Sequence, residues 1–439
     1  MSYGQLDAPT PAVVIVGAGL SGLTAAAELA RLKVPAIVFD QATALGGPAR
    51  GERQAGFHLN DGPQHLYRTG AALQALTELN VPIALAARGP NGGFAVRRGR
   101  KFTLPVGMCS LLTTGLLGAW AKRELARVLT SLHAIRTADL EAVSMENWLR
   151  TQSRDGDVIE LVRAFVRSTT YCDDLDRLSA SAAIEQLRLS GRGDVLYVRR
   201  GWSALVDSLA QMATSAGTVF VPGQRVTGIR TVNGRVHDVA LADGSRMPCA
   251  AVIVATDPQT AARLLAGAFA LPIPPQPVRV AALDIALRAL PDAGTLFAIG
   301  VDEPWCYSVD PNVANAAPDE RVVVRLAKYL RAGASGSATD ERQLERALDL
   351  LQPGWRGRAV LRRFLPTATV SHALVSAEAG GLAGRPDGSV PGVANLFMAG
   401  DWIGPVGQLA DAAVSSGIAA ARRAGRTLAA EIAGAHRAC

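Results

Sequence analysis

The sequence predicts an α/β fold: a Rossmann-type domain, built on a parallel sheet in three layers, interleaved with a mixed α+β domain. Three segments predict it. A strand, turn, helix and strand pattern begins at Val13, and short strands with tight turns lead into an apolar strand at 251–255. A further strand and a long helix follow Leu396. Because these segments lie at the start, middle and end of the 439 residues, interleaved domains explain their order.

The first segment has the spacing of a dinucleotide-binding unit. An apolar β-branched run, Val13 to Val16, is joined to a helical pattern, Leu20 to Arg31, by Gly17, Gly19 and Gly22 in a G-x-G-x-x-G arrangement. Gly17 allows the tight turn, Gly19 admits a pyrophosphate, and Gly22 lets helix and strand pack closely. The helix N-terminus adds unpaired N–H groups that attract phosphate.

A second strand, Ala36 to Phe39, ends at Asp40, whose carboxylate is placed to accept ribose hydroxyls. The flanking strands and this acid favour a nucleotide site over a βαβ unit without nucleotide. The predicted site also includes Leu20, Ser21 and Gln41. The motif alone does not choose between NAD and FAD, since both contain adenosine diphosphate.

Glycine-rich turns after the second strand make the choice. Gly46, Gly47 and Arg50 follow directly, and a later turn contains Gly62 and Pro63. These turns resemble the FAD signature of the flavoprotein superfamily that contains amine oxidases, protoporphyrinogen oxidases and phytoene desaturases. In that family the double glycine and the arginine lie along the pyrophosphate and ribityl chain, and the later turn passes the isoalloxazine ring. The resemblance implies that the cofactor is FAD.

The middle segment, 223–258, resembles the same family. Its short strands turn at Asn233-Gly234 and Asp243-Gly244 and close on an apolar strand. In the family, the residue that matches Val226 contacts the adenine through its backbone.

The last segment resembles the family's closing motif of a strand, an Ala-Gly-Asp sequence, a loop and a long helix. The resemblance implies that Gly400 and Asp401 lie at the cofactor and that Asp401 binds ribityl or phosphate oxygens. The helix beginning near Gln408 and Leu409 would direct its positive end at the flavin pyrimidine edge. No cysteine or histidine occurs in this motif, so FAD is expected to be bound non-covalently.

These matches predict the domain boundaries. The FAD-binding domain is expected to use 1–82, 197–268 and 388–439, and the substrate-binding domain 83–196 and 269–387.

The closing loop predicts the branch of the superfamily. Amine oxidases place two aromatic residues before the flavin face in this loop, whereas the matching positions here fall near Val406 and Leu409, both aliphatic. The sequence is therefore closer to the phytoene desaturases and protoporphyrinogen oxidases. This predicts hydride removal from a hydrophobic small molecule, by desaturation or oxidation, with oxygen or another acceptor reoxidising the flavin.

Three alternatives stay open. The first is a flavin-dependent amine oxidase. The second is a redox-neutral flavin isomerase, marked by turnover without net electron transfer. The third is a non-enzymatic binding protein similar to the GDP-dissociation inhibitors, which would be colourless when purified.

The sequence offers catalytic candidates but no catalytic signature. His65 and Tyr67 follow the turn that passes the flavin, and His65 could act as a base if its pKa is close to neutrality. Trp402 is a further candidate that could equally pack beneath the closing motif. Asp173 and Asp174 are expected to be capping or solvated groups more often than substrate contacts.

Composition excludes several other classes. The net charge is +7, but the basic residues are spread along the chain without a lysine-rich tract, so no nucleic-acid partner is expected. Five scattered cysteines predict a reduced, cytoplasmic chain rather than a disulfide framework. The six histidines show no metal-ligand spacing, so no metal is expected.

One uncharged run bears on membranes. From Phe102 to Ala121 no residue is charged, which approaches the length of a membrane span. Pro105, glycines and hydroxyl residues interrupt the run, so a spanning helix is not expected. Two interpretations stay open: a helix that lines an apolar tunnel, or a monotopic patch with arginines at the lipid head groups. Both imply a hydrophobic substrate, and the second adds peripheral membrane contact.

Overall fold

The fold is described from a computed structural model that places residues 13–59, 65–87, 92–191, 195–265, 268–270, 273–309 and 322–438. The strands in these ranges are β1 Val13–Val16, β2 Ala36–Asp40, β3 Glu52–Gln54, β4 Phe57–Leu59, β5 Leu66–Tyr67, β6 Leu85–Ala87, β7 Phe94–Arg97, β8 Arg100–Thr103, β9 Val195–Val198, β10 Val219–Pro222, β11 Val226–Val232, β12 Arg235–Leu241, β13 Arg246–Pro248, β14 Ala251–Val254, β15 Val278–Leu287, β16 Phe297–Gly300, β17 Trp305–Val309, β18 Val322–Leu330, β19 Ala359–Ser371 and β20 Leu396–Met398. The α-helices are α1 Leu20–Arg31, α2 Ala71–Glu78, α3 Met108–Thr113, α4 Ala119–Ser131, α5 Met145–Gln152, α6 Gly156–Thr170, α7 Ala180–Gly191, α8 Trp202–Ser215, α9 Pro258–Leu264, α10 Ala338–Leu351 and α11 Ala410–Ala438.

A parallel sheet of five strands, in the order β10-β2-β1-β14-β20, forms the centre of the first domain. Every residue of β1 is buried because both faces of the sheet are covered. Val13 and Ile15 pack against α1 and α11, whereas Val14 and Val16 pack toward the antiparallel sheet β11-β12-β13. Helices, parallel sheet and antiparallel sheet therefore make three layers, and the predicted α/β fold is confirmed.

Small residues let α1 and α11 approach each other closely. Ala25 and Ala26 of α1 pack in one cluster with Ala420, Ala421 and Ala424 of α11. A Cβ atom on Gly417 would lie 2.4 Å from the carbonyl oxygen of Ser21, so only glycine fits at this contact. The close pairing holds the N-terminus of α1 beside the sheet end where the sequence predicts phosphate binding.

The second domain is built on a mixed sheet of seven strands in the order β19-β15-β18-β17-β16-β7-β8. Strand β15, second from one edge, is buried along nearly its whole length. Val280 and Ala282 face a cluster that contains α4 and α6, whereas Leu283 and Ile285 face α10. The sheet therefore has helices on both sides, and a cavity opens on the side of α4 and α6. The predicted domain boundaries remain predictions.

The uncharged run from Phe102 to Ala121 forms the end of β8, the short helix α3 and the start of α4, separated by loops. No helix among the described residues combines the length and the apolar character that crossing a bilayer requires.

Candidate active site

The turn between β1 and α1 depends on glycines for two different reasons. Gly17 has a φ of +104°, and a Cβ atom there would lie 2.5 Å from the carbonyl oxygen of Ala255. A Cβ atom on Gly22 would lie 1.9 Å from the carbonyl oxygen of Gly17. By contrast, a Cβ atom on Gly19 would have no neighbouring atom within 4 Å. The fold requires Gly17 and Gly22, whereas Gly19 borders open space.

That open space is a cavity of about 330 Å³ at the carboxyl ends of the parallel strands. It brings together most of the predicted cofactor residues from distant parts of the chain, namely Gly17, Gly19, Leu20, Ser21, Asp40, Gln41, Gly46, Gly47, Val226, Gly400, Asp401, Gln408 and Leu409. We refer to it as the cofactor cavity.

Some predicted residues lie elsewhere. Gly22 does not line the cofactor cavity but serves the packing of α1 on β1. Arg50 is exposed and does not line the cavity either, so the contact implied for it is not seen. Gly62 and Pro63 lie outside the described residues. The nitrogen Nε1 of Trp402 donates to the carbonyl oxygen of Thr256 at 3.0 Å; this ring is buried beneath the closing motif and lines neither cavity, so it is not a catalytic candidate.

The shape of the glycine turns fits a pyrophosphate. Gly46 and Gly47 both have positive φ, and the N–H of Gly46 donates to the carbonyl oxygen of Ala18 at 2.8 Å. A Cβ atom on Gly47 would meet only the Cα atom of Gly19, at 3.6 Å. The two glycines thus form a cradle that side chains would fill, next to the N-terminus of α1.

Asp40 orders this turn as well as facing the cavity. One carboxylate oxygen accepts from the N–H of Ala18 at 2.6 Å, and the other accepts from the N–H of Ala42 at 2.8 Å. Since each carboxylate oxygen has two lone pairs, acceptor capacity remains for the ribose hydroxyls predicted from the sequence.

At the opposite sheet edge, Asp401 binds a histidine that the sequence did not identify as a site residue. The backbone N–H of His372 donates to Oδ2 at 2.9 Å, and Nδ1 of His372 lies 3.0 Å from Oδ1. Burial favours the neutral form of Asp401, but the hydrogen bonds and charge of His372 outweigh it and lower the pKa of Asp401. Both side chains line the cofactor cavity.

The N-terminal turn of α11 closes the cofactor cavity, beginning at Ala410 and thus two residues after the predicted start. The side chain of Gln408 donates to the carbonyl oxygen of Ala182 at 2.8 Å, and Leu409 adopts a φ of +55°. Asp411 accepts from the N–H of Ala72 at 2.7 Å, and burial raises the pKa of its carboxyl group. These contacts fix the helix end against α7 and α2.

A second and larger cavity, of about 600 Å³, lies in the other domain. We refer to it as the substrate cavity. Most of its wall is apolar and comes from the segment before α3, from α4, α6 and α7, and from the seven-stranded sheet. These apolar lining residues include Leu104, Pro105, Val106, Leu129, Leu132, Phe165, Leu187, Val280, Ala282, Phe297 and Ala327.

The two cavities meet at His65, Tyr67 and Trp202, which line both. Trp202 begins α8, and sequence analysis does not identify it as a site residue because only the tertiary fold brings the ring between the cavities. No local spacing signals it.

His65 and Tyr67 are organised by further contacts. Nε2 of His65 lies 3.2 Å from the hydroxyl oxygen of Tyr67, which accepts from the side-chain amide of Gln186 at 3.2 Å. Gln186 is buried and lies 3.5 Å from the amide nitrogen of Gln408. The rings of Tyr171 and Tyr197 each lie 6.4 Å from the ring of His65. An aromatic group with ordered polar edges therefore surrounds the junction.

The paired acids of the second domain line neither cavity. Asp173 accepts from Nε of Arg167 at 2.5 Å. Asp174 accepts from Nε of Arg331 at 3.0 Å and from the N–H of Ala332 at 2.6 Å. They are therefore not substrate contacts, but they are partly or fully buried ion-pair partners rather than the capping or solvated groups expected from the sequence.

The described ranges contain no group of three or more His, Cys, Asp or Glu side chains arranged to hold a metal ion.

Comparison with known proteins agrees with this geometry. The structure is an α/β protein in which two cavities meet at the carboxyl ends of a parallel sheet. The model of the flavin-containing amine oxidoreductase family matches residues 20–424. The chain belongs to this family, and its cofactor is FAD.

Curated relatives of the chain come from two branches of the family. A Mycobacterium tuberculosis protein that bears the provisional name of flavin-containing monoamine oxidase is 29% identical over 279 residues, 60% of either chain. The hydroxyneurosporene desaturase of Rhodobacter capsulatus is 25% identical over 289 residues, 56% of either chain. The chain thus spans about 60% of the length of the curated relatives that it matches.

Solved structures show the same fold. Putrescine oxidase bound to putrescine superposes with a TM-score of 0.70 at 18% identity, covering 94% of this chain and 98% of that one. The Rab GDP-dissociation inhibitor of Plasmodium falciparum superposes with a TM-score of 0.61 at 12% identity, covering 95% of this chain and 98% of that one.

Proposed function

We propose that this protein is an FAD-dependent oxidoreductase that removes a hydride from a hydrophobic small molecule, by desaturation or oxidation, with oxygen or another acceptor reoxidising the reduced flavin. The observation that carries the proposal is the meeting of the two cavities at His65, Tyr67 and Trp202. Among the residues that the structure describes, these three are shared by the walls of both cavities, so a ligand in the substrate cavity can reach the cofactor cavity here.

The chain's own residues supply three functions. The glycine cradle, Asp40 and the end of α11 hold FAD, which supplies the hydride acceptor when bound. The apolar wall of the substrate cavity orients the substrate and excludes water. His65, held by Tyr67, is placed at the junction to receive a proton.

The wall of the substrate cavity favours an apolar substrate over an amine. Val406, one of the two positions that would carry an aromatic residue in an amine oxidase, is 46% exposed and lines neither cavity. The other, Leu409, is an aliphatic residue in the cofactor cavity. The specific observation that keeps amine oxidation as a second candidate is the group of rings around His65, in which Tyr171 and Tyr197 supply aromatic faces from other segments.

The test is anaerobic mixing of the FAD-loaded protein with linear polyenes and, separately, with primary amines and diamines. We expect polyenes to bleach the flavin absorbance near about 450 nm while amines leave it unchanged. Bleaching by amines alone would replace the proposal with amine oxidation. Product formed without bleaching would indicate a redox-neutral isomerase, and a protein that holds no flavin would indicate a binding protein.

We also propose that the protein docks on anionic membranes through a patch formed by Val106, Met108, Leu112 and Trp120. These side chains are 62%, 68%, 66% and 70% exposed and are the four most exposed large hydrophobic residues of the described chain. Contiguous exposed apolar side chains are typical of interaction surfaces. We refer to these four residues as the docking patch.

Charge complementarity supports a bilayer as the partner. Residues 98–136 contain seven lysines and arginines but a single acid, Glu124, which pairs with Arg127 at 2.8 Å. Basic side chains beside an apolar patch suit anionic head groups. Val106 also lines the substrate cavity together with Leu104 and Pro105, so the patch adjoins the route by which a lipid-soluble substrate would enter.

Flotation with vesicles that contain phosphatidylserine tests this surface. Combining Leu112→Glu with Trp120→Glu is expected to reduce the bound fraction at least about tenfold, because two charges would enter the apolar interface. Val360→Glu, at a 44% exposed valine far along the chain, is the matched control and should bind as the wild type does. Equal binding by the double variant would contradict the proposal. The proposal would also be contradicted if the patch joined two copies of the chain, which would appear as a dimer that the double variant dissociates.

A further inference from the structure

The carboxylate of Asp401 is occupied by protein groups on both oxygens. His372 supplies both, through its backbone N–H to Oδ2 at 2.9 Å and through Nδ1, 3.0 Å from Oδ1. The carboxylate is also nearly buried. The side chain that the sequence resemblance assigns to the cofactor is therefore largely engaged in holding a histidine.

His372 has a second ring nitrogen, Nε2, that is not engaged by Asp401. The imidazole lines this cavity, its side chain is 36% exposed, and Nε2 has no hydrogen-bond partner among the described residues. Because Nδ1 is committed to Asp401, only Nε2 is available to a ligand.

The charges around this ring favour its protonated form. Burial lowers the pKa of His372, but the hydrogen bond to Asp401 and the charges of Asp401 and Asp257 outweigh it, so the pKa is raised above its usual value. The charge of Asp401 also acts on Arg385, which donates to the carbonyl oxygen of Gly407 at 2.9 Å; burial lowers the pKa of Arg385 to about 10. Arg385 therefore keeps its charge at neutral pH. Asp257 and Asp401 also line the cofactor cavity, whereas Arg385 does not, so the imidazolium is the cation of this group that borders the cavity.

The position of His372 selects one part of the cofactor. The charge of Asp257 reaches His372, and Asp257 follows Thr256, which lies against Gly17: a Cβ atom on Gly17 would be 3.4 Å from Cγ2 of Thr256. The imidazole thus belongs to the side of the cavity that adjoins the glycine turn, where the pyrophosphate is expected.

We propose that His372, held by Asp401, binds an anionic oxygen of the FAD pyrophosphate, and that affinity for FAD falls as His372 loses its proton. This role deepens the proposed function, on which it depends only for the identity of the cofactor. Below its pKa the imidazolium donates from Nε2 and attracts the phosphate charge. Above this pKa, the neutral imidazole keeps the proton on Nδ1, which still donates to Asp401. Nε2 then has no proton and, as a hydrogen-bond acceptor, it cannot bind the phosphate oxygen, which is also an acceptor. The pyrophosphate does not titrate in this range, so the pH dependence belongs to the protein.

The experiment is a fluorescence titration of the apoprotein with FAD between about pH 6 and pH 9, which spans the titration of a histidine with a raised pKa. We expect the Kd of the wild type to rise about tenfold across this range, the size of one charge-assisted hydrogen bond. His372→Gln keeps a neutral donor and should bind with the weaker, pH-independent Kd. Asp401→Asn should move the transition to lower pH, because it removes the charge that raises the pKa of His372.

Two controls separate this role from a structural one. Riboflavin lacks phosphate, so its Kd should not change over the same pH range. His237→Gln alters an exposed histidine outside both cavities and should keep the wild-type dependence. A Kd for FAD that is the same at both pH limits, a His372→Gln variant that behaves as the wild type, or an equal pH dependence with riboflavin would each overturn the proposal. Because binding is measured without turnover, these results do not depend on whether the substrate proposal holds.

Discussion

The two cavities are lined by different kinds of groups. Much of the cofactor cavity is backbone: glycine turns, strand ends and the first turns of α1 and α11, with Asp40, Arg225, Asp257, His372, Asp401 and Asp411 among its ionisable groups. The wall of the substrate cavity consists mostly of apolar side chains from helices and from one face of the mixed seven-stranded sheet. The cofactor cavity is suited to bind a fixed polyanion through N–H groups and charges. The substrate cavity is suited to bind an apolar molecule by the fit of its shape. We therefore expect that adding a single methyl group in the glycine turns impairs the protein, whereas the substrate cavity is affected mainly by changes in the volume of its side chains.

The largest expected effect is at Gly22, and Gly19 is its matched partner. Gly22→Ala places a methyl group 1.9 Å from the carbonyl oxygen of Gly17, a backbone atom that cannot yield. We expect a loss of stability of about 4 kcal/mol or more, visible in the soluble yield and Tm. Gly19→Ala meets no atom within 4 Å, so the apoprotein should melt as the wild type does while FAD affinity falls at least about tenfold. Equal damage by both substitutions, or none, would contradict the distinction between fold and cradle.

A smaller effect is expected from filling the substrate cavity. Ser168 lines it from α6, and its hydroxyl donates to the carbonyl oxygen of Phe165 at 2.8 Å. Ser168→Phe should lower kcat/KM for long apolar substrates about tenfold, because the ring occupies their volume, and should leave the flavin spectrum unchanged. Ser168→Ala removes the same hydrogen bond and keeps the space, so it should retain activity. If the alanine variant lost as much activity, the hydroxyl rather than the volume would be responsible.

The smallest expected effect is at the junction itself. Tyr67→Phe removes the hydroxyl that contacts His65 and that accepts from Gln186. We expect kcat to fall about fivefold and the pH dependence of kcat to shift, since the partner of His65 is lost. Tyr197→Phe, whose ring lies 6.4 Å from His65 in the same cavity, is the control. Equal kcat and pH profiles in the two variants would remove Tyr67 from any role in positioning His65.

The same contrast explains what the sequence could predict. Gly17, Gly19 and Gly22 were identified because a turn that approaches phosphate constrains backbone at fixed spacing. Asp40 was identified because it ends the strand that follows. Asp401 was found through its Ala-Gly-Asp context, although its carboxylate proves to hold His372.

His372 could not be identified from sequence. It follows β19 of the seven-stranded sheet, and it meets Asp401 and the charge of Asp257 only because the tertiary fold brings the end of β19 to the ends of β14 and β20 in the parallel sheet. No spacing links it to the closing motif. The residues that line the substrate cavity could not be identified from the sequence either. Its wall combines single side chains from segments between Leu104 and Ala327, and no local pattern distinguishes an apolar residue that lines a cavity from one that packs in the core.

The measurement that tests the central claim most directly is a visible difference spectrum of the FAD-loaded protein titrated with an unreactive, saturated analogue of a linear polyene. If the cavities meet where His65, Tyr67 and Trp202 line both, the bound hydrocarbon must change the surroundings of the flavin and shift its bands near about 450 nm. We predict a saturable shift in the wild type that Ser168→Phe weakens. Saturable binding of the hydrocarbon without any change in the flavin bands would contradict the claim that the substrate cavity opens onto the flavin.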